Sequence, residues 1–411
     1  MKLSGKLIVF LLLFTILKIN SQWQQTSAGM HDLRVYSIAA NQTYIFAGTY
    51  QSLSVSSNNG ISWSMVSFNS QLEPVVSIIV NNSNIYCGVT GYGVTVSANN
   101  GGYWTFHHPL GNRVIYSMTI TAEGKLFASV SGFISGGGSP GVHVSLDNGY
   151  SFTPVTLQNK NVFALTSVNN VIFAGLQSEG VLKSTNNGEN WTQTPLNGIT
   201  VTSLVSNSGF LIAGTEGSGV FVSSDAGSSW VNSSLNSGVI HTLNAQGNII
   251  FAGLSSPNNF YVSNDNGFNW ALKNDGLGNV TVRSVCGING FVFAGTSANG
   301  VYRRSLSELT AIQTLSNEIP NNFSLSQNYP NPFNPETTIN FSIPSVETTR
   351  RVVSLKVYNI SGREVATLVN QQLTPGTYSV QWDASNYPSG VYFYNLSSGG
   401  FTQTNKMVLI K

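Results

Sequence analysis

The sequence predicts an all-β protein of two domains: a seven-bladed β-propeller over residues 22–305, its ring closed by the N-terminal strand, and a small immunoglobulin-like β-sandwich over 323–411. Three observations carry this. An eight-residue pattern returns six times at intervals near 40 residues, short strand-like runs fill those intervals, and the composition combines 41 glycines with only 8% charged residues. A period of that length built from short strands is the pattern of four-stranded blades around an axis, and a glycine-rich, charge-poor chain suits tight turns better than helices.

Each octet reads Ser, any, Asn or Asp, any, Gly, any, any, aromatic. The copies are marked by Asn58, Gly60 and Trp63; Asn99, Gly101 and Trp104; Asp147, Gly149 and Phe152; Asn186, Gly188 and Trp191; Asp225, Gly227 and Trp230; and Asp265, Gly267 and Trp270. Trp23 stands one period ahead of them without an octet, and the aromatics from Trp23 onward are spaced 40, 41, 48, 39, 39 and 40 residues apart. An Asn or Asp side chain that bonds backbone groups two residues on, followed by a glycine at positive φ, makes a hairpin turn. The aromatic is expected to open the next strand and to be buried between blades, worth roughly 2 to 3 kcal/mol per copy. The octet resembles the Asp-box, or BNR, repeat of sialidase-like, sortilin-like and photosystem-assembly-factor-like propellers. A cation at the octets is disfavoured because Asn58, Asn99 and Asn186 are neutral, whereas hard cations prefer several charged oxygens.

Taken from the N-terminus, residues 1–21 carry Lys2 and Lys6, the apolar run Leu7 to Leu17 and a small residue at Ser21, which predicts an export signal peptide. No later run is long and apolar enough to span a bilayer, so no transmembrane segment is expected in the mature chain. From Gln22 each repeat predicts four strands, a to d from the axis outward, as in Ile240 to Leu243, Ile249 to Leu254, Phe260 to Ser263 and Trp270 to Lys273. The b strand carries a recurrent Phe-Ala-Gly, for example Phe251-Ala252-Gly253, and a small residue is required where backbones crowd toward the axis. The seventh repeat lacks an octet and a d strand, which Trp23 and its neighbours are placed to supply. Such closure would leave no sheet edge at the joint.

Residues 306–322 show no period and predict a linker. From Phe323 the text changes to alternating runs at Thr338 to Ile343, Val353 to Asn359, Glu364 to Val369, Gly376 to Trp382, Gly390 to Leu396 and Phe401 to Ile410, the pattern of a small sandwich. Tyr329-Pro330-Asn331-Pro332-Phe333-Asn334, Val357-Tyr358-Asn359 leading to Gly362, Leu373 to Tyr378, Tyr387 to Tyr392 and the terminal Lys406 to Lys411 closely resemble the type A C-terminal sorting domain of the type IX secretion system. The resemblance implies recognition of 323–411 by the outer-membrane export machinery, removal of the domain, and release or surface attachment of the remainder.

The formal net charge of +2 and the lack of a Lys/Arg cluster exclude a nucleic-acid footprint. Cys87 and Cys286 sit in apolar strands far apart and read as buried structural thiols. No cofactor or metal is expected, since His107-His108 form a lone pair and His31, His143 and His241 are scattered.

Candidate chemistry falls on the face opposite the octets, where the b–c and d–a loops carry Asp32, Arg34, Glu73, Arg113, Lys160, Glu179, Glu216 and Asp275. The longest interval contains the insertion Ser131 to Pro140, whose Phe133 could fold over a ligand with Tyr50 and Tyr92 as stacking surfaces. Arg34, Arg113 and Arg283 stand at innermost strands, where a sialidase-like triad could gather, but the Arg-Ile-Pro motif of those enzymes is absent. Glu179 and Glu216 occupy similar loops of neighbouring blades and would suit an inverting glycosidase if about 6.5 to 9.5 Å apart. The preferred expectation is a secreted or surface-attached, non-catalytic propeller binding glycan or protein on this face, with ligand contacts drawn from Arg34, Tyr50, Glu73, Tyr92, Arg113, Phe133, Lys160 and Arg283. A secreted glycoside hydrolase is the alternative.

Overall fold

The structure is a computed structural model and describes residues 22–66, 73–106, 110–111, 113–131, 140–247, 249–309, 312–316, 320–345, 351–373, 375–384 and 387–411. The expected signal peptide, His107-His108 and Phe133 lie outside the described residues. The described residues are all-β apart from the short helix Leu306–Leu309.

Between Gln24 and Ser305 the strands fall into antiparallel four-stranded units, which we number I to VII. Their innermost a strands are Val35–Ala40, Val75–Asn81, Ile115–Ile120, Val162–Val168, Val201–Asn207, Gly238–Gln246 and Val282–Ile288. Each a strand packs beside the next, and that of unit VII packs beside that of unit I. Units V and VI are joined into one sheet by Glu216 opposite Val239 and Gly217 opposite Gly238. The outer position of unit VII is filled from the other end of the chain, where Gln24 pairs with Arg303 and Gln25 with Tyr302.

The glycine of Phe-Ala-Gly is explained by what it touches. A Cβ on Gly175, Gly214 or Gly253 would come within 2.6, 2.5 or 2.6 Å of a Val or Ile side chain near the start of the a strand of the next unit, Val201, Ile240 or Val282. No side chain fits in that gap. Unit III uses Ser129 instead, fully buried, with its hydroxyl accepting from Ser117 N–H and donating to Ser117 C=O.

The octets are turns whose parts the sequence reading assigned incompletely. In the first copy Ser56 Oγ accepts from Gly60 N–H at 2.9 Å and donates to Asn58 Oδ1, which accepts from Ser62 N–H at 3.0 Å. The third-position side chain therefore bonds backbone four residues on, not two, and serine supplies the inner bond. The fourth position, read as free, has positive φ in every copy, at Asn59, Asn100, Asn148, Asn187, Ala226 and Asn266. Consecutive left-handed residues explain Asn-Gly in five of the copies. The aromatic precedes the d strand instead of opening it, and burial is uneven: Trp63 and Trp104 are buried with Trp23, whereas Phe152, Trp191, Trp230 and Trp270 are half-buried. The gain of 2 to 3 kcal/mol assumed for every copy is correspondingly smaller at the last four.

The expected linker is only partly a linker. Leu306–Leu309 is helical with Leu309 packed into the core shared by units VI and VII, and Ile312–Ser316 is a strand on the edge of the terminal domain, paired with Gly376–Asp383. Without it Gly376–Asp383 would present an open edge; a five-residue strand between breakers was too short to stand out in the sequence. The terminal domain is two four-stranded sheets. One orders Ile312–Ser316, Gly376–Asp383, Glu336–Ile343 and Ser324–Leu325; the other orders Glu364–Leu373, Arg351–Asn359, Gly390–Ser398 and Phe401–Leu409. Phe333, Phe341, Trp382, Tyr394 and Met407 lie in the core between them. Asn328 is buried there and donates through its amide to Pro330 C=O and Thr337 Oγ1.

Candidate functional site

On the face opposite the octets, the b–c loop of most units is tied to the segment that enters its own a strand. Tyr50 N–H donates to Arg34 C=O, Thr90 N–H to Pro74 C=O, Gln177 N–H to Asn161 C=O, Glu216 N–H to Thr200 C=O and Ser297 N–H to Thr281 C=O. Residues from two loops of one unit are thereby brought together. Arg34 meets Asp32 at 2.6 Å and lies 3.8 Å from the centre of the Tyr50 ring. Burial alone would raise the Asp32 carboxyl, but the bonds and charge of Arg34 outweigh it and hold the group below its ordinary range. Lys160 Nζ donates to both oxygens of Glu179 at 2.7 and 2.8 Å.

Other candidates go elsewhere. Tyr92 is half-buried beside Phe106, with ring centres 6.3 Å apart, and packs against a core cluster, so it is not an open stacking surface. Glu73 is half-buried at the entry to unit II. Arg113 is partly buried, which lowers its pKa, and it faces His143, whose burial and cationic neighbour push the imidazole down to about 4. Of the three arginines that could have formed a triad, Arg34 meets Asp32 and Tyr50, Arg113 faces His143, and Arg283 lies over the Tyr36 ring. Glu216 is exposed on the b strand of unit V, whereas Glu179 is engaged by Lys160.

The feature that sequence reasoning missed is a bulge in each a strand. Register slips by one residue between Val35 and Ser37, Val75 and Ser77, Ile115 and Ser117, Val162 and Ala164, Val201 and Ser203, Ile240 and Thr242, and Val282 and Ser284. The residue before each slip is a fully buried Val or Ile, and the residue after it is small. Several of the small residues join neighbouring units: Ser77 Oγ donates to Ile115 C=O at 2.7 Å, and Ser203 Oγ accepts from Leu243 N–H at 2.9 Å. The unpaired residues themselves are Tyr36, Val76, Tyr116, Phe163, Thr202, His241 and Arg283.

These seven positions recur at the mouth, where the innermost a strands begin, and some of them are in contact across unit junctions. Arg283 lies 5.1 Å from the Tyr36 ring centre, across the junction of units VII and I. Tyr116 and Phe163 meet edge to face at 5.5 Å across units III and IV, and Thr202 donates to Ile240 C=O in unit VI. His241 shares a hydrogen bond of 2.8 Å with Ser255; burial and then Arg283 lower its pKa, against the opposing pull of Glu216. Bulges re-aim side chains out of a ladder. The positions either side repeat from unit to unit, as a scaffold must, while the bulged position varies, with six residue types over seven units.

Among the described residues no group of three or more His, Cys, Asp or Glu converges as a metal site. Cys87 and Cys286 are free and buried, and burial pushes the Cys286 thiol up to about 12.

Comparison with known proteins separates the two domains. Residues 327–411 match the family described as the secretion system C-terminal sorting domain. This tail marks the chain for export through type IX secretion, to the cell surface or the medium. Among solved structures, the fold is similar to YCF48 bound to D1 peptide, at 12% identity over 70% of this chain and 98% of that one, with a TM-score of 0.54. It is similar to YCF48 from Cyanidioschyzon merolae, at 12% identity, 69% and 98% coverage and a TM-score of 0.51. The extracellular domain of the hybrid two-component system BT4673 from B. thetaiotaomicron matches at 12% identity and a TM-score of 0.54, over 95% of this chain and 59% of that protein. At such identity the likeness is one of fold, a β-propeller. No curated protein matches the chain. Among the described residues no helix is long and apolar enough to cross a membrane.

Proposed function

We propose that the chain is an exported, non-catalytic binding propeller whose Asp-box-like octets are structural turns and whose ligand, a glycan or a protein, is met on the face opposite them. The observation that carries this reading is the set of bulge residues at the mouth. Seven equivalent positions hold six residue types, tyrosine twice, on an otherwise repetitive scaffold, which suits a surface specialised for one asymmetric ligand. The Lys160 contact supports the non-catalytic side, because an acid held by two bonds to an ammonium at 2.7 and 2.8 Å is poorly placed to exchange a proton. A neighbour of the same build is recorded with a bound peptide, in keeping with a binding role.

The test is a screen of the exported chain against labelled polysaccharides and peptides, scoring both retention and released sugar. Retention without release is the expected outcome. Sugar release that is lost in Glu179→Gln or Glu216→Gln would overturn the non-catalytic reading in favour of a glycoside hydrolase.

A further inference from the structure

Separately from the mouth, we infer that the octet side of the axis holds a second binding site, which takes a neutral saccharide between the inner strands of units II to V. The a–b turns lie on that side: Asn41 donates to Asn100 Oδ1 and Asn289 to Asn59 Oδ1, each bond linking such a turn to an octet. There the last residues of four a strands and the a–b turn of unit III line a cavity of about 520 Å³, within the range of about 300 to 1,000 Å³ usual for small-ligand sites. Its rim residues Asn81, Ala122 and Gly124 are exposed, while Thr119 and Thr166 are buried in its wall. Hydroxyls tie this wall together across two unit junctions. Thr119 Oγ1 donates to Ser167 Oγ at 3.1 Å, which donates to Ile120 C=O at 2.9 Å. Thr166 Oγ1 donates to Ser206 Oγ at 3.4 Å, which donates to Ser167 C=O at 3.3 Å.

The chemistry of the wall selects the ligand. At the positions of Ser167 and Ser206, units I, VI and VII carry Ala40, Ala245 and Gly287, so the ring is built elsewhere without a hydroxyl at this point and closure alone does not call for one. Each of the four hydroxyls gives its proton to the protein, which leaves lone pairs facing the cavity. The Asn81 amide and the Thr121 hydroxyl remain as donors, and among the described residues that line the cavity none is charged. A carboxylate or phosphate, which only accepts, finds few partners here, and an ammonium would be desolvated without a countercharge. A peptide would leave carbonyls unpaired against such a wall. Sugar hydroxyls donate as well as accept, and Ile79, Val80 and Ile120 offer aliphatic surface to the C–H faces of the ring.

The experiment records saturation-transfer NMR of the exported chain with cellobiose, maltose and xylobiose, and with glucuronate and spermidine as charged controls. Binding of at least one neutral disaccharide, with little binding of either control, is the expected result. Ala122→Trp, on the exposed turn at the rim, should abolish binding by closing the entrance. Ser167→Ala should weaken it by about twofold to tenfold, the loss typical of one hydrogen bond. Tyr103→Ser, exposed in the second octet and outside the cavity, should leave it unchanged, with thermal midpoints confirming that each variant folds. If Ser167→Ala does not fold, Ala122→Trp decides, because its side chain replaces one that faces solvent. Disaccharide binding indifferent to Ala122→Trp overturns this inference and leaves the reading of the mouth standing. Glucuronate or spermidine bound as tightly as the neutral sugars overturns the ligand class, and binding of none of the three disaccharides overturns the site.

Discussion

Gly295 and Val35, at opposite ends of the propeller sequence, are in direct contact: a Cβ on Gly295 would lie 2.6 Å from Val35 Cγ1. The same contact recurs at internal junctions, where Gly175 faces Val201 and Gly253 faces Val282. Unit VII therefore meets unit I through the device used between consecutive units.

Gly295→Ala should destabilise the propeller by about 1 to 3 kcal/mol, as overpacking does. Its φ is not in the left-handed region, so the cost is steric and Val35→Ala should recover part of it. Chemical unfolding of the two single variants and the double variant tests this. Additive losses would show that the residues do not compete for the same space.

Trp23→Ala should be the costlier lesion, about 3 to 5 kcal/mol. Trp23 is 2% exposed, donates from its indole to Lys273 C=O at 2.8 Å and packs edge to face on Phe260 at 4.6 Å. Limited proteolysis should then cut first near the freed N-terminal strand. A variant cut no faster than the parent would show that the strand is not what holds the joint.

Ala226→Asn should stabilise. Ala226 has φ of 53° where the other five octets place Asn, and the left-handed conformation costs a residue with a Cβ roughly 1 to 2 kcal/mol, less for Asn. A gain of about 0.5 to 1 kcal/mol is expected, read as a raised denaturation midpoint. A lowered midpoint would mean that the alanine is held there by packing.

Asp147 and Asp225 make the fold acid-sensitive. Hydrogen bonds from Ser151 and Ser229 pull their carboxyls down to about 2, below the usual range for Asp of about 3.9. A carboxyl with a depressed folded pKa stabilises above its unfolded value, and that contribution is lost as pH falls through the folded one. Stability should therefore drop between about pH 4 and pH 2. Asp225→Asn, which makes this octet resemble those of Asn58 and Asn99, should flatten that drop; an unchanged acid profile would locate the effect elsewhere.

Most of the architecture is legible in the sequence because it is repeated. Six octets and a string of Phe-Ala-Gly triplets report the same local geometry many times over, so strand order and the donated N-terminal strand can be read without a template. The short edge strand Ile312–Ser316 occurs once and left no such trace. The site was hidden for a related reason. Charge drew attention to Arg34, Lys160 and Glu179, which are neutralised in local pairs, Arg34 with Asp32 and Lys160 with Glu179. The mouth residues Tyr36, Tyr116, Phe163 and His241 look like ordinary strand residues until the register slip turns them out of the ladder. Arg283 was found for its charge, and only the bulge explains its aim.

The borrowed outer strand of unit VII also sets a timetable. Trp23 bonds a residue 250 positions later, so the first segment of the propeller to leave a ribosome or a translocon waits unpaired until nearly the whole propeller has followed. Contacts of such long sequence separation form slowly because the loop entropy is lost before any bond repays it. During that interval the chain is an open, threadable array of units, and it becomes a locked ring at the last step. Pulse-labelled hydrogen exchange should find Gln24 and Gln25 protected later than the a strands of units II to VI.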